Sequence, residues 1–464
     1  MRTAPLATLL CLTSLFAGAQ STPISLRQAL DMAHSDNFSI AIARSESQIA
    51  DAQSKELNSL WYPTVFASGE YTHTLSEITA VTSVGALAGG VIDNLTPILT
   101  PDSPLLGIVE SVADTPIRLP LVPRNTASVG IEVGWTIFSG GRRILASRIA
   151  KVNSSFAAQR LSATTSATDA SVVESYFALC LAKEIVALRE KNLAALTEHL
   201  RQARSLEREG MITPAERLTA EVAVEQAKAS LTTARNNHTI AHNSILTLLN
   251  TNIPAIHPTT RLTLPSLLPT KEEFYLLIEQ SPTIGALREQ TTIATHSLSI
   301  EKGRYLPSIV LLGHQQLWSA GLNKNLFPRT AIGIGLSWTL FDGLAREGAI
   351  ARSRSLIATS EIAQQKAEDD MRLAIDRLYT AMMDGVAEYE AGLSTERLAE
   401  ELVRSRHKAF AEGMATSSEV VDAEALLYGA KVSQMVALYG IDTALSSLLM
   451  IVGRTDEYFN YVND

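Results

Sequence analysis

Residues 128–141 read SVGIEVGWTIFSGG, and the way this stretch alternates and then stops decides the fold. In an extended chain Val129, Ile131, Val133, Trp135 and Ile137 point one way, while Ser128, Gly130, Glu132, Gly134 and Thr136 point the other. One face is apolar and the other small or polar, as a strand needs when lipid lies on one side and water on the other. The stretch recurs as AIGIGLSWTLFDGL at 331–344, where Ile332, Ile334, Leu336, Trp338 and Leu340 oppose Ala331, Gly333, Gly335, Ser337 and Thr339.

Working outward, Trp338 lies 203 residues after Trp135, and the same offset continues without a gap. It pairs Arg143 with Arg346, Glu209-Gly210-Met211 with Glu412-Gly413-Met414, and Glu216 with Glu419. Such an internal repeat sets the architecture before any single element does. Upstream, Ile40 to Pro63 matches Ile284 to Pro307 at an offset of 244, so the first copy carries 41 extra residues. They fall between about residues 77 and 124, a stretch rich in Pro, Gly and apolar residues that reads as a long loop.

Each copy changes period twice. Ser25 to Leu60 and Lys271 to Arg304 read as helices, ended by Pro63 and Pro307, which lack an amide donor and constrain the residue before them. Strands follow, Val65 to Thr74 and Ile309 to Trp318 alternating less cleanly than their partners. Arg142 to Arg208 then contains neither proline nor glycine, and a helix that long extends roughly 100 Å at 1.5 Å per residue. Apolar positions such as Val173, Phe177, Leu181, Ile185, Leu188 and Leu196 recur at helical spacing among small residues, which suits antiparallel coiled-coil packing.

The second copy repeats this rod from Ala345 to Ala411. Gly210 and Gly413 end the rods, and new starts follow at Thr213-Pro214-Ala215-Glu216 and Thr416-Ser417-Ser418-Glu419, each read as a cap with a glutamate that closes a capping box. The return helices reach only to about Asn250 and Gly453, so the rest of each rod needs Ser25 to Leu60, or its copy, stacked end to end with them.

The expected organisation is a signal peptide at 1–19, a first repeat at 20–250 with hairpin about 64–138, rod 142–208 and return helix 214–250, and a linker at 251–270. A second repeat at 271–453 follows, with hairpin about 308–341, rod 345–411 and return helix 417–453, then a tail at 454–464. The signal rests on Arg2, the apolar run Leu6 to Phe16 and the cleavage pattern Ala17-Gly18-Ala19. Cys11 follows Leu10 rather than a small residue, which argues against acylation, and Cys180 is left without a partner for a disulfide. A formal charge of −9 without basic clusters argues against nucleic acid. No run of 18 uninterrupted apolar residues follows the leader, so membrane residence falls to the strands.

Together the W-x-x-F-x-G junctions, the rods, the glycine turns and the duplication resemble the TolC family of outer-membrane efflux and secretion channels across essentially the whole mature chain. The resemblance implies a mainly α fold with membrane β: a long α-helical periplasmic barrel, and four strands per protomer of a shared 12-stranded outer-membrane β-barrel in a homotrimer. It implies a periplasmic adaptor and an inner-membrane pump as partners. The strands argue independently for assembly, because four cannot close a barrel and an open edge in lipid leaves backbone groups unpaired.

By that resemblance Glu419 and Asp422 fall on two acidic constriction rings, and Glu216 on an aspartate that links neighbouring helices near the gate. Capping explains Glu216 and Glu419 without any channel, and the two roles can coexist; Asp422 lies beyond the first turn. Gly210, Met211, Gly413 and Met414 are the expected adaptor contacts, although a plain helix end accounts for both glycines. Trp61, Tyr62, Trp135, Phe138, Tyr305, Trp338 and Phe341 gather where strands leave the membrane, as an interfacial girdle or as ordinary strand-end aromatics. Phe410 and Ala415 stand where the family latches its closed tip with a tyrosine and an arginine, so closure needs other contacts here.

No P-loop, H-E-x-x-H or G-x-S-x-G is present, and Trp338 occupies the third glycine position of a dinucleotide fingerprint begun at Gly333. His238 and His242 share a helical face, but two ligands do not make a metal site. The expectation is a passive exit duct for small molecules, without cofactor or enzymatic activity. Type I protein secretion is the alternative within the class, and a soluble periplasmic coiled-coil scaffold the alternative outside it.

Overall fold

The computed structural model describes residues 22–84, 86, 111–321 and 328–462. The expected signal peptide and much of the 77–124 stretch lie outside them. The chain forms two compact units, Met1–Ala52 with Lys151–Ala294 and Leu356–Asp464, and Gln53–Ala150 with Thr295–Ser355, so each unit draws on both sequence copies.

In chain order the elements are β1 (Thr22–Ile24), α1 (Leu26–Asp36), α2 (Phe38–Asn58), β2 (Thr64–His73), β3 (Ile78–Ser83), β4 (Pro116–Val122), β5 (Asn125–Ser139), α3 (Arg142–Arg208) and α4 (Pro214–Leu249). The second copy continues with β6 (Ile256–Pro258), α5 (Lys271–Leu277), α6 (Pro282–Gly303), β7 (Ser308–Ala320), β8 (Thr330–Ser337), α7 (Ala345–Ala411) and α8 (Ser417–Val452).

Each helix read from Ser25 to Leu60 and from Lys271 to Arg304 is broken once, at positions equivalent in the two copies. Asn37 leaves helical geometry with ψ 129°, and its side-chain oxygen accepts from Ser39 N at 2.8 Å to cap α2. Ser281 likewise leaves helical geometry, with ψ 134°, before Pro282, whose missing donor suits a first helical position. The two breaks receive the ends of the return helices. Asn37 Nδ2 donates to Leu248 O and Ser281 Oγ to Ile451 O, both at 2.8 Å, and Leu248 and Ile451 are themselves repeat equivalents. Gly453, at φ 73°, closes α8 against Pro282, where a Cβ would come within 2.4 Å of the proline Cδ.

Tyr176, Phe177, Leu179, Ile245, Ile284, Ile375, Ile441 and Leu445 form the main core of the helical unit. Tyr176 OH donates to Ile24 O at 2.8 Å and accepts from Thr259 and Thr260 N at 3.0 Å, fixing the parallel β1–β6 pair beside the core. By length and composition α8 is apolar enough to cross a membrane. It is a core helix instead, with Leu438, Ile441, Leu445, Leu448 and Val452 buried within the unit.

The other unit holds a four-stranded antiparallel sheet in the order β2-β5-β7-β8, which joins the two hairpins through β5 and β7. Its register sorts the strands that alternated poorly. Val65, Val133, Gly313 and Ile332 form one cross-strand row, and Phe66, Glu132, His314 and Ala331 form the next row on the opposite face. Trp135, Leu311 and Ile334 extend the apolar face, and Ile332 and Ile334 are 80% and 73% exposed. Leu312 points to the other face between Gly134 and Gly333, which leave it room. The final strand stops at Ser337, so Trp338 and Leu340 lie beyond it.

One further finding changes the expected picture of the 77–124 stretch. Ile78–Ser83 pairs antiparallel with Pro116–Val122, so its described ends form a ladder rather than loop. Alternating β-branched and apolar residues outweighed the prolines there, as they do at sheet edges.

Candidate functional site

Both rods end in the same turn. Gly210 and Gly413 take φ 72° and 71°, Gly210 N and Met211 N donate to Glu207 O and Leu206 O, and Gly413 N and Met414 N repeat this with Phe410 O and Ala409 O. This paired bonding satisfies the last carbonyls of a helix and favours glycine at the left-handed position. It leaves Met211 and Met414 projecting, 53% and 71% exposed.

Beyond the turns the two copies part company. Thr416 and Glu419 make the reciprocal capping box, Thr416 N donating to Glu419 Oε2 at 2.8 Å. Glu216 does not close the box expected of it. Thr213 still accepts from Glu216 N, but the Glu216 carboxylate reaches the second copy and accepts from Ser417 N at 2.6 Å. Ser417 N has no partner within α8 itself, and at that helix start the dipole also favours negative charge. Glu419 is additionally paired with Arg406 at 3.1 Å, and the backbone hydrogen bond from Thr416 holds its carboxyl below the usual range. Asp422 is exposed one turn further along α8.

Behind these turns lies a cluster that the sequence did not disclose. His199 is fully buried; its Nε2 meets Ser417 Oγ at 2.7 Å, and its ring lies 4.5 Å from Phe410 and 5.9 Å from His407 between centroids. His407 Nε2 in turn meets Glu424 Oε1 at 2.8 Å. Burial drives His199 down to about 4, helped by His407 and opposed by Glu424, so its ring is neutral at ordinary pH. Phe410, Leu200, Ala203, Val224 and Val420 complete an apolar seam between the copies, with Ala415 packed at its edge. The available signal was the repeat itself, because Phe410 and Val420 are equivalent to Glu207 and Arg217.

The strand junctions are built alike in both copies. Arg143 donates to Leu60 O at 3.2 Å and Ile137 O at 3.3 Å, and also to Thr136 O, while stacking 4.2 Å above Trp61. Arg346 donates to Thr339 O and Leu340 O at 3.1 and 2.9 Å above Tyr305. Trp135 and Trp338 give their indole N–H groups to Trp61 O and Tyr305 O. The exposed Tyr62, Phe138 and Phe341 complete the aromatic set beside these junctions. His242 accepts from Ile256 N at 3.0 Å, and no described group of three or more His, Cys, Asp or Glu is placed to hold a metal.

An amphipathic four-stranded sheet, with 67-residue helices paired tip to tip, is the architecture of a TolC-like outer-membrane channel subunit. The family model described as outer membrane efflux protein matches residues 120–251 and 274–454, and the chain belongs to that family. It is 25% identical over 339 residues to the outer membrane efflux protein BepC of Brucella suis, covering 71% of this chain and 73% of that one. It is 24% identical over 188 residues, 39% and 38% of the two chains, to the alkaline protease secretion protein AprF of Pseudomonas aeruginosa. The outer membrane protein VceC of Vibrio cholerae superposes with a TM-score of 0.72 at 14% identity, over 92% of this chain and 96% of that one. The protein is an outer-membrane efflux channel, and its family and fold are those of channels rather than enzymes. A soluble scaffold accounts for neither.

Proposed function

We propose that the chain is the exit duct of a tripartite pump, a homotrimer that passes small molecules passively while an inner-membrane pump supplies the energy. The observation that carries this reading is the pair of open edges. Strands β2 and β8 each lack a neighbour on one side among the described residues, and hydrocarbon offers their backbone groups no partner. Three copies close twelve strands. Exposed Ile42, Ile49, Leu218, Val222 and Ile240 on α2 and α4 give the sister subunits apolar surface to cover.

Within the trimer, Asp422, Glu419 and Glu216 gather near the threefold axis as the cation-attracting constriction, and Gly210, Met211, Gly413 and Met414 meet the adaptor. Methionine suits that contact because it adapts to the surface it meets. Trp61, Trp135, Phe138, Trp338 and Phe341 hold the barrel at the lipid interface. Small-molecule efflux is preferred to protein secretion because the match to BepC is much longer than that to AprF. Deleting the gene is expected to raise cellular accumulation of a lipophilic fluorescent dye and leave the secreted proteins unchanged. Unchanged dye with a protein missing from the medium would transfer the assignment to secretion.

A further inference from the structure

The repeat builds two equivalent junctions between strand and rod, and the two differ in charge. In the second, Arg346 is buried and meets the Asp342 carboxylate at 3.2 Å, with Arg304 on the same carboxylate at 3.8 Å. Arg304 also pairs with Glu301 at 2.9 Å, and Glu347 accepts from Tyr305 OH at 2.6 Å. Both guanidiniums of that junction are therefore balanced by carboxylates of their own chain.

The first junction keeps the arginine and loses the acids. At the repeat offsets Ser139 stands where the second copy has Asp342, Ile144 where it has Glu347, and Leu57 where it has Glu301. Arg143 is the equivalent of Arg346, and a further arginine, Arg142, replaces Ala345. Arg143 donates to the backbone carbonyls of Leu60, Thr136 and Ile137, which orient its guanidinium without cancelling its charge. Arg142 gives its Nε–H to Ser139 O at 2.9 Å, and its Nη groups have no protein acceptor among the described residues. Neither arginine has a carboxylate partner among the described residues, so two adjoining cations stand uncompensated where the other copy is neutralised.

Their surroundings are apolar and open. Trp61, which Arg143 stacks above at 4.2 Å, is 41% exposed, and Ile144 is 46% exposed. Free positive charge beside uncovered hydrocarbon suits the headgroup layer of a bilayer, where the apolar parts meet lipid and the guanidiniums stay polar. A phosphate fits the planar fork of a guanidinium in the same two-pronged way as a carboxylate.

We infer that the first junction binds the phosphate of an anionic glycerophospholipid, which balances Arg142 and Arg143 as Asp342 balances Arg346. The inference rests on reading Trp61 and Trp135 as interfacial aromatics, and adds to it the class of headgroup they accompany. The lipid belongs to the leaflet on the side of the rods, because the site lies where β5 passes into α3. Two neighbouring cations favour a headgroup of net negative charge over a zwitterionic one, whose own ammonium competes for the phosphate. The second junction, already neutralised, is the internal control.

The experiment uses the chain's own tryptophans. There are four, and Trp318→Phe with Trp338→Phe leaves Trp61 and Trp135 to report on the first junction. The purified protein in detergent is titrated with phosphatidylglycerol or phosphatidylcholine brominated on the acyl chains. Phosphatidylglycerol is expected to quench at concentrations about tenfold lower than phosphatidylcholine. Arg142→Gln is expected to weaken phosphatidylglycerol about fivefold and leave phosphatidylcholine unchanged. Ser139→Asp gives the first junction the carboxylate of the second, and is expected to erase the preference while the thermal midpoint stays equal or rises. Equal quenching by both lipids before these changes, or a preference that survives both Ser139→Asp and Arg142→Gln, overturns the inference and leaves the aromatics at the interface. Displacement of the brominated lipid by lipid A at lower concentration than by phosphatidylglycerol overturns the choice of lipid. Quenching by neither lipid overturns the inference and the interfacial reading together.

Discussion

Asp422 and Glu419 stand three residues apart at the start of α8, and their surroundings separate what each can contribute. Glu419 spends its carboxylate on the Thr416 cap and on Arg406, so part of its charge is already balanced. Asp422 is exposed and free of the cap. Three such carboxylates at a narrow opening concentrate negative potential. Asp422→Ala is therefore expected to lower cation selectivity in bilayer recordings more than Glu419→Ala, while Glu419→Ala also removes one arm of the α8 capping box and so lowers stability. Equal reversal potentials for wild type and the double variant would reject the constriction.

Two buried groups at the same scale predict opposite pH limbs. The unfolded chain protonates His199 below pH 6.5, but the folded one refuses the proton until about 4. That contribution is complete above 6.5 and lost as pH falls to 4, on the order of 3 kcal/mol. Burial raises Asp442 to about 7, against the accepting bond it makes with Tyr458 OH at 2.9 Å. Here the folded state keeps a proton the unfolded state has released, so stability present below 3.8 is lost as pH rises to 7, by on the order of 4 kcal/mol. Thermal unfolding in detergent from pH 4 to 7.5 is expected to lose its acid slope in His199→Leu and its slope toward neutrality in Asp442→Asn.

Elements end where single residues force them to, and the glycines rank by what surrounds them. Gly413 has open space at its missing Cβ, so Gly413→Ala meets only the left-handed backbone, about 1 to 2 kcal/mol. Gly453 shares that conformation and also lies against Pro282, so Gly453→Ala is expected to cost clearly more in chemical denaturation. Equal midpoints for the two variants would show that the α8–α6 contact yields freely. The rods, tips and second strands were legible because period, glycine and cap are local signals repeated twice. The breaks at Asn37 and Ser281 were not, since their cause is a long-range bond to the end of a return helix. The first strands became readable only through cross-strand register, and the His199 cluster only through the packing of α3 against α7 and α8. Glu216 was legible as a first-turn acid but not in its destination, because a cap and a neighbouring helix offer equally good donors.

For the molecule as a whole, closure is the controlling requirement. The four strands alternate in direction, so in the proposed trimer β8 of one subunit meets β2 of the next antiparallel, and the ladder continues without a mismatch. The outward face then has to be apolar around the whole barrel, while the inward face is free to carry Glu132 and His314 above small residues such as Gly130. Each Lys placed on the lipid side of such a barrel near the bilayer midplane costs about 2–4 kcal/mol. Ile332→Lys with Ile334→Lys is therefore expected to abolish membrane-resistant, carbonate-insoluble trimer, whereas Gly333→Lys, with open space at its Cβ and the opposite facing, is expected to leave it intact. The contrast separates loss of lipid contact from mere disturbance of β8, because all three positions lie in the same short segment. If both variants assembled equally well, the face assigned to lipid would be wrong and with it the reason for the sheet to join others.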